Sequence, residues 1–410
     1  MNYNTHTLPN GLRIIHLPNT NSQVVYCGYA IAAGTRHELP GEEGLAHFVE
    51  HTTFKGTRHR SAMQILNCLE HVGGDLNAFT TKEHTIYYAT VLHENVGRAV
   101  DLLTDIVFNS TYPETELEKE KAVICDEIES YNDTPTELIY DEFENKLFSG
   151  HPLGHNILGT RENLQTFTQD DALRFARRHY RPENMVFFVY GDVKFDKIRK
   201  RLKVEGGGLK EICSCTSGIL PPPSSFNPPP ITSTLHKSHH QAHVMIGTRT
   251  FAADDPRRMP LFLLNNILGG PGMNARLNVS LRERRALVYT VESSMTTYSD
   301  TGMWTVYFGC DHDDVRHCLR LIRTELDRVM NHPLSDRQLA AAKRQLKGQL
   351  AIASDNREQF ALDMAKLYLH EHKEHHVSTL FQQIDAITSQ QILDVAQALF
   401  TPEQLQTFIL

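Results

Sequence analysis

Residues 221–230 read Pro-Pro-Pro-Ser-Ser-Phe-Asn-Pro-Pro-Pro, six prolines in ten positions. Proline has no backbone N–H to donate, and its ring clashes with the preceding helical turn. Neither a helix nor a central strand can run through this stretch, which predicts an extended linker. Gly206-Gly207-Gly208 and Cys213-Ser214-Cys215, just before it, also read as loop. The chain has 410 residues, too many for one ordinary core. We therefore expect a domain over 1–215, a Pro-rich linker over 216–230 and a second domain over 231–410.

The two halves echo each other. Val24–Ile31 is a β-rich run, followed by an acidic, Pro-containing loop and a helical pattern from Gly44. Ala242–Thr248 is a similar run, followed by Asp254-Asp255-Pro256 and a helical pattern over Met259–Leu268. The offset is about 218 residues, which reads as a duplicated unit. Further strand patterns lie at Thr85–Leu92, Met185–Tyr190 and Met303–Phe308. Helical periodicity is strong at Val96–Phe108, Leu117–Ile128, Val315–Met330 and Asp336–Ile352. The fold class expected is α+β, with two similar domains, each a mainly antiparallel sheet with helices packed on one face.

Composition narrows the function. Forty-one Lys and Arg stand against 49 Asp and Glu, a net charge of −8, which argues against a nucleic-acid partner. No run approaches the roughly 18 apolar residues of a membrane span. The N-terminus has no basic-then-apolar signal pattern, and the seven cysteines contain no CxxC. These features lead us to expect reduced thiols and a cytoplasmic location. Histidine, at 23 residues, is the outlier and directs attention to metal chemistry.

The segment Gly44–His51 contains His47-x-x-Glu50-His51. At 100° per residue, His51 lies about 40° from His47 and Glu50 about 60° to the other side, so all three share one helix face. Leu45, Phe48, Val49 and Thr52 fall on the opposite face. Two imidazoles at i and i+4 can hold a zinc ion, and a carboxylate beside them can serve as general base toward water. An amphipathic helix with a solvated polar face fits the same five residues.

A catalytic zinc takes three protein ligands as a rule. The acidic helix Glu116–Glu129 offers a candidate third. Its apolar stripe is Leu117, Ile124 and Ile128, and Glu120 and Glu127, seven apart, lie together on the flank of that stripe. Carboxylates at the edge of a buried face need something positive to meet them. A metal ion would do so, and so would nearby Lys or Arg side chains.

The order His47-x-x-Glu50-His51, then 75 intervening residues, then Glu127 resembles the inverted-zincin metallopeptidases of family M16. That family includes insulin-degrading enzyme, pitrilysin and the mitochondrial processing peptidases. The block Leu76–Tyr88 is similar to the family's substrate-pairing edge strand, and Leu281–Tyr289 to the Arg-x₆-Tyr pair of its second domain. The resemblance implies a Zn²⁺ cofactor held by His47, His51 and Glu127, with Glu50 as general base and Glu120 supporting the ligand sphere. It also implies that Asn77 and Ala78 contact the substrate backbone and that Arg282 and Tyr289 complete the catalytic set. The expected activity is zinc-dependent cleavage of peptides or unfolded segments in a clamshell chamber built by a homodimer. A non-proteolytic partner subunit of a hetero-complex is the alternative. One position departs from the pattern: Ala286 stands where the family has a glycine, at a helix end that favours a left-handed residue.

Other clusters carry less. His370–His376 reads as charged surface at a helix end. His236, His239, His240 and His243 flank the second domain's first strand and read as structural. Cys213 and Cys215 read as free thiols, and Gly269-Gly270-Pro271-Gly272 as a turn or a flexible gate.

Overall fold

The structure, a computed structural model, describes residues 2–205, 232–234 and 241–410. The Pro-rich linker, the Gly206–Gly208 run, Cys213, Cys215, His236, His239 and His240 lie outside those residues.

The first sheet has six strands: β1 (Asn4–Thr7), β2 (Arg13–Leu17), β3 (Val24–Ile31), β4 (Asp75–Thr80), β5 (Thr85–Leu92) and β6 (Met185–Tyr190), in the order β1-β2-β6-β3-β5-β4. Only β2 and β6 pair in parallel; the other neighbours are antiparallel. Alternation along β3 sends Val25, Cys27, Tyr29 and Ile31 into one apolar core. The helices α1 (Leu45–Thr53), α2 (Ala62–Glu70), α3 (Val96–Asn109) and α4 (Glu114–Asp133) close that face, with Phe48, Ile65, Leu103 and Ile124 among their buried side chains.

The other face of this sheet presents Ala30, Val186 and Phe188, which are also buried. Its cover is the helix Arg357–Glu371, which packs on β3 and β6. Phe360 lies tilted against Tyr190 with ring centroids 5.5 Å apart, and the Tyr88 hydroxyl donates to Glu358 at 2.7 Å.

The second sheet contains β7 (Thr232–Thr234), β8 (Ala242–Thr250), β9 (Val288–Thr297), β10 (Gly302–Cys310) and β11 (Gln406–Ile409), in the order β7-β11-β8-β10-β9. Val244 and Ile246 of β8, with Trp304, Val306 and Phe308 of β10, face a core shared with helices Arg258–Gly269, Val315–Asn331 and Ser389–Leu399. Met245, Tyr307 and Phe408 face the other way, against Leu138, Ile139, Phe143 and Leu147 of α5 (Pro135–Leu147). Burying a side chain of this size contributes about 1.5–3 kcal/mol relative to leaving it in water.

The α+β class and the two similar, mainly antiparallel sheets are as expected, and β3–α1 and β8 with Arg258–Gly269 are the repeated strand–loop–helix units. The compact units draw residues from both halves of the sequence. One takes the described residues up to Ser130, those from His155 to 205, and Asn356–His375. The other takes Tyr131–Gly154 together with the remaining described residues from 232 onward. The reason is the second face of each sheet. A helix from the opposite half of the sequence covers it, so the chain exchanges α5 for Arg357–Glu371. Among the described residues no helix is long and apolar enough to cross a membrane.

Candidate active site

The helix α1 has two unlike faces. Leu45, Ala46, Phe48 and Val49 are fully buried in the first unit's core, while His47, Glu50 and His51 turn toward α4. Its first residues follow Gly44, whose φ of +97° places it in the left-handed region.

His47 Nε2 lies 3.8 Å from Glu127 Oε2, and His51 Nε2 lies 3.5 Å from the same oxygen. The two imidazole centroids are 4.5 Å apart. One ligand atom from each of His47, His51 and Glu127 falls within 4.8 Å of the others, the only such group of three among the described residues. Behind them, Glu120 Oε2 stands 3.4 Å from His51 Nδ1, and its Oε1 accepts from Lys55 Nζ at 2.6 Å. All five residues belong to one unit.

The electrostatics suit a cation. Burial, aided by His51, depresses the His47 imidazole to about 3, so its ring is neutral and keeps a lone pair for a ligand. Burial alone would lower His51 too, but Glu120, Glu127 and Glu50 outweigh it and raise the ring above its ordinary value. Burial raises the Glu50 carboxyl, and Glu127 adds to this against the Thr80 hydroxyl and His51. Burial would also raise Glu120, yet His51 and Lys55 hold it below the usual carboxylate range.

Two imidazoles and a carboxylate are a donor set that zinc takes. Glu50 Oε2 is buried and, among the described residues, has no hydrogen-bond partner, so the site leaves an acceptor open. The residues present therefore fit a zinc ion.

Asn77 and Ala78 lie on β4, which among the described residues pairs with β5 alone and leaves its other edge open. The strand packs beside α1, which brings the Thr80 hydroxyl at its end toward Glu50. Arg282 and Tyr289 belong to the other unit. There the Arg282 guanidinium carbon lies 5.8 Å from the Tyr289 ring centroid, and Tyr289 on β9 is 83% exposed. Both line a cavity of about 490 Å³ that the Gly269–Gly272 turn also borders.

The insulinase (peptidase family M16) profile matches residues 13–161, and the peptidase M16 inactive-domain profile matches 166–346. The uncharacterized zinc protease YmxG of Bacillus subtilis is 33% identical over 400 residues, 97% of this chain and 96% of that one. The chain belongs to peptidase family M16. An uncharacterized zinc protease of Mycobacterium leprae is 34% identical over 398 residues, covering 96% of this chain and 88% of its own. A protease from Helicobacter pylori shares the fold at a TM-score of 0.91 and 22% identity, with 100% of this chain and 99% of that one covered. Family and donor set together make this M16 chain a metallopeptidase.

Several residues of the M16 site escape a sequence reading. Lys55 lies just past the end of α1, and its i+4 spacing from His51 was the one available signal. Thr80 and Glu38 sit at a strand end and in a loop, where no periodicity marks them. Of the exposed histidines in the 370–376 cluster, His370 Nε2 lies 3.2 Å from His84 Nδ1, and Arg13 Nη1 lies 2.7 Å from His372 Nδ1. His243 Nδ1 lies 2.9 Å from the Tyr307 hydroxyl.

Proposed function

We propose that the chain is a zinc-dependent endopeptidase or oligopeptidase that cleaves extended peptides or unfolded segments. The observation that carries this reading is the convergence of His47, His51 and Glu127, with the unpartnered Glu50 oxygen on the same helix beside an open strand edge. His47, His51 and Glu127 would hold the ion. Zinc, when bound, acts as a Lewis acid and lowers the proton affinity of water.

This chain's residues do the rest. The β4 edge at Asn77 and Ala78 pairs with the substrate main chain, which orients a peptide with little regard to its sequence. Glu50 Oε2 takes a proton from the attacking water and delivers it to the leaving amine nitrogen, and the raised proton affinity that burial gives it suits both transfers. Glu120 holds the His51 ring in orientation through Nδ1. Tyr289 donates its hydroxyl to the developing oxyanion, and Arg282 donates to a nearby substrate carbonyl.

Arg282 and Tyr289 act in trans, in a homodimer whose two chains enclose a chamber that excludes folded proteins. A mixture of inactive Glu50→Gln and inactive Tyr289→Phe chains then regains activity; no recovery sinks the trans arrangement. Free thiols at all five described cysteines suit a cytoplasmic setting. A non-proteolytic subunit is the weaker reading, because metal donors, Glu50 and the Arg–Tyr pair are all retained.

The test is cleavage of a quenched-fluorescent peptide library by wild type and Glu50→Gln, with zinc measured on both. Zinc in both and cleavage by wild type alone supports the reading. No zinc in either overturns the ligand assignment.

A further inference from the structure

Glu38 lies in the loop before α1, and its side chain is only 1% exposed. Its two oxygens accept three hydrogen bonds. Oε1 accepts from the backbone N–H of Ala46 at 2.7 Å, and Oε2 from that of Gly44 at 3.0 Å. His155 Nε2 stands 2.9 Å from Oε2 and donates to it.

The first two bonds complete a helix that cannot cap itself. The N-cap of α1 is Gly44, which has no side chain to offer the free N–H groups of the first turn. Gly44 is required there by contact as well as by its φ of +97°. A Cβ on it would lie 2.7 Å from Cα of Gly159, and Gly159 is itself left-handed at +70°. A carboxylate from outside the helix therefore does the work that Ser or Asp does elsewhere, at the positive end of the helix dipole. Ala46, which Glu38 holds, is the residue immediately before His47.

The third bond reaches further. The carbonyl oxygen of His155 accepts from Nζ of Lys82, a buried lysine in the turn between β4 and β5. The backbone N–H groups of Thr35 and Arg36 also donate to the carbonyls of Thr81 and Lys82, at 3.1 and 2.9 Å. The same segment that presents Glu38 to α1 is thus bonded to the end of the β4–β5 hairpin. All of these residues belong to one unit.

We propose that Glu38 is a positioning residue for the metal centre: its carboxylate fixes the first turn of α1, and with it His47, relative to the hairpin that pairs with substrate. It touches neither metal nor substrate, and the proposal rests on the zinc-peptidase reading above. When Glu38 is ionised, a neutral amide cannot replace it. Glutamine offers one acceptor oxygen, and its NH₂ then faces a backbone N–H donor or His155.

The experiment is zinc affinity by chelator competition, with kcat and KM, on full-length wild type, Glu38→Gln, His155→Ala and Thr388→Ala. Thr388 caps a helix of the other unit, so its loss lowers stability without reaching the metal. Outer-shell partners of metal ligands are worth about 10- to 100-fold in affinity. Glu38→Gln is expected to bind zinc about 10-fold more weakly and to lose kcat with KM held, while Thr388→Ala keeps wild-type affinity. A folded Glu38→Gln chain with wild-type zinc affinity and kcat overturns the proposal. Should Glu38→Gln fail to fold, His155→Ala decides: a several-fold loss of zinc affinity supports it, and wild-type affinity overturns it. Wild type that binds no zinc overturns the underlying peptidase reading instead, so the two failures are distinct.

Discussion

Glu120 Oε2 lies 3.4 Å from Nδ1 of His51, the ring nitrogen opposite the one that approaches Glu127. The imidazole is thereby held between two carboxylates seven residues apart on α4, one behind it and one beside the ligand position. Lys55, 2.6 Å from the other Glu120 oxygen, keeps that carboxylate ionised and in place. Glu120→Gln is expected to retain zinc but to weaken it about 10- to 100-fold, as other outer-shell changes do. On the proposed ligand assignment, Glu127→Gln removes a donor and should abolish tight binding. Chelator competition on both chains checks the order, and equal affinities would place Glu120 outside the ligand sphere.

Tyr289 offers a separation of chemistry from stability. Its side chain is 83% exposed, so Tyr289→Phe leaves the unfolding midpoint essentially unchanged. Loss of one oxyanion donor costs about 10² to 10³ in kcat. The variant should fold like wild type, bind zinc like wild type, and show the deficit in kcat on a fluorogenic peptide. A deficit in KM alone would make Tyr289 a substrate contact without a part in the chemical step.

Ala286 stores strain. Its φ is +51°, and its N–H closes the turn to the Arg282 carbonyl at 2.8 Å. This is the left-handed helix end that the glycine-for-alanine departure foretold. An alanine pays sterically for that conformation, and glycine does not. Ala286→Gly is expected to raise stability by about 0.5–1 kcal/mol, the unfolded-state entropy of glycine offsetting part of the gain. Urea unfolding measures it, and a decrease would show that the turn holds alanine without strain.

Much of this was legible because it is local. The i, i+3, i+4 pattern of His47, Glu50 and His51, the stripe of α4, and the strands β5 and β6 follow from periodicities of 3.6 and 2. What was not legible is long-range. Leu138, Ile139, Phe143 and Leu147 mark α5 as a helix with something to bury, but nothing in them says that the buried partner is β8, about a hundred residues on. The same holds for Phe360, Ala361 and Met364 against the first sheet. Glu38 is harder still. A lone glutamate in a loop looks solvated, and only the fold brings it against the Gly44 and Ala46 N–H groups and His155.

The exchanged helix Arg357–Glu371 has an anchor that can be tested. Arg13 of β2 donates through Nη1 to the carbonyls of Tyr368 at 3.1 Å and Leu369 at 3.3 Å, with His372 Nδ1 2.7 Å away. These are last-turn acceptors that the helix cannot satisfy itself, and a cation there also meets the negative end of its dipole. Charge-assisted bonds of this kind contribute about 1.5–3 kcal/mol when buried, and Arg13 is half-buried. Arg13→Met, which keeps the apolar stem, should cost about 1–2 kcal/mol. Amide exchange should rise first in Arg357–Glu371; a uniform rise across the unit would argue against an anchor.

Glu38 gives a pH dependence whose sign is unusual for an acid. Burial raises its carboxyl to about 7, against the pull of His155 and the Ala46 and Gly44 N–H groups. In the unfolded chain it titrates near 4.3. Between these two values the folded protein holds a proton that the unfolded protein has released, so stability falls as pH rises. The contribution is fully present below about pH 4.3 and is lost as pH passes through about 7, a change on the order of 3 kcal/mol. Glu38→Gln does not titrate. In metal-free protein, the wild-type stability minus that of Glu38→Gln should therefore decline from pH 4.5 to 7.5. Urea unfolding across that range measures the difference, and a difference that grows with pH would mean that hydrogen bonding outweighs burial at this carboxylate.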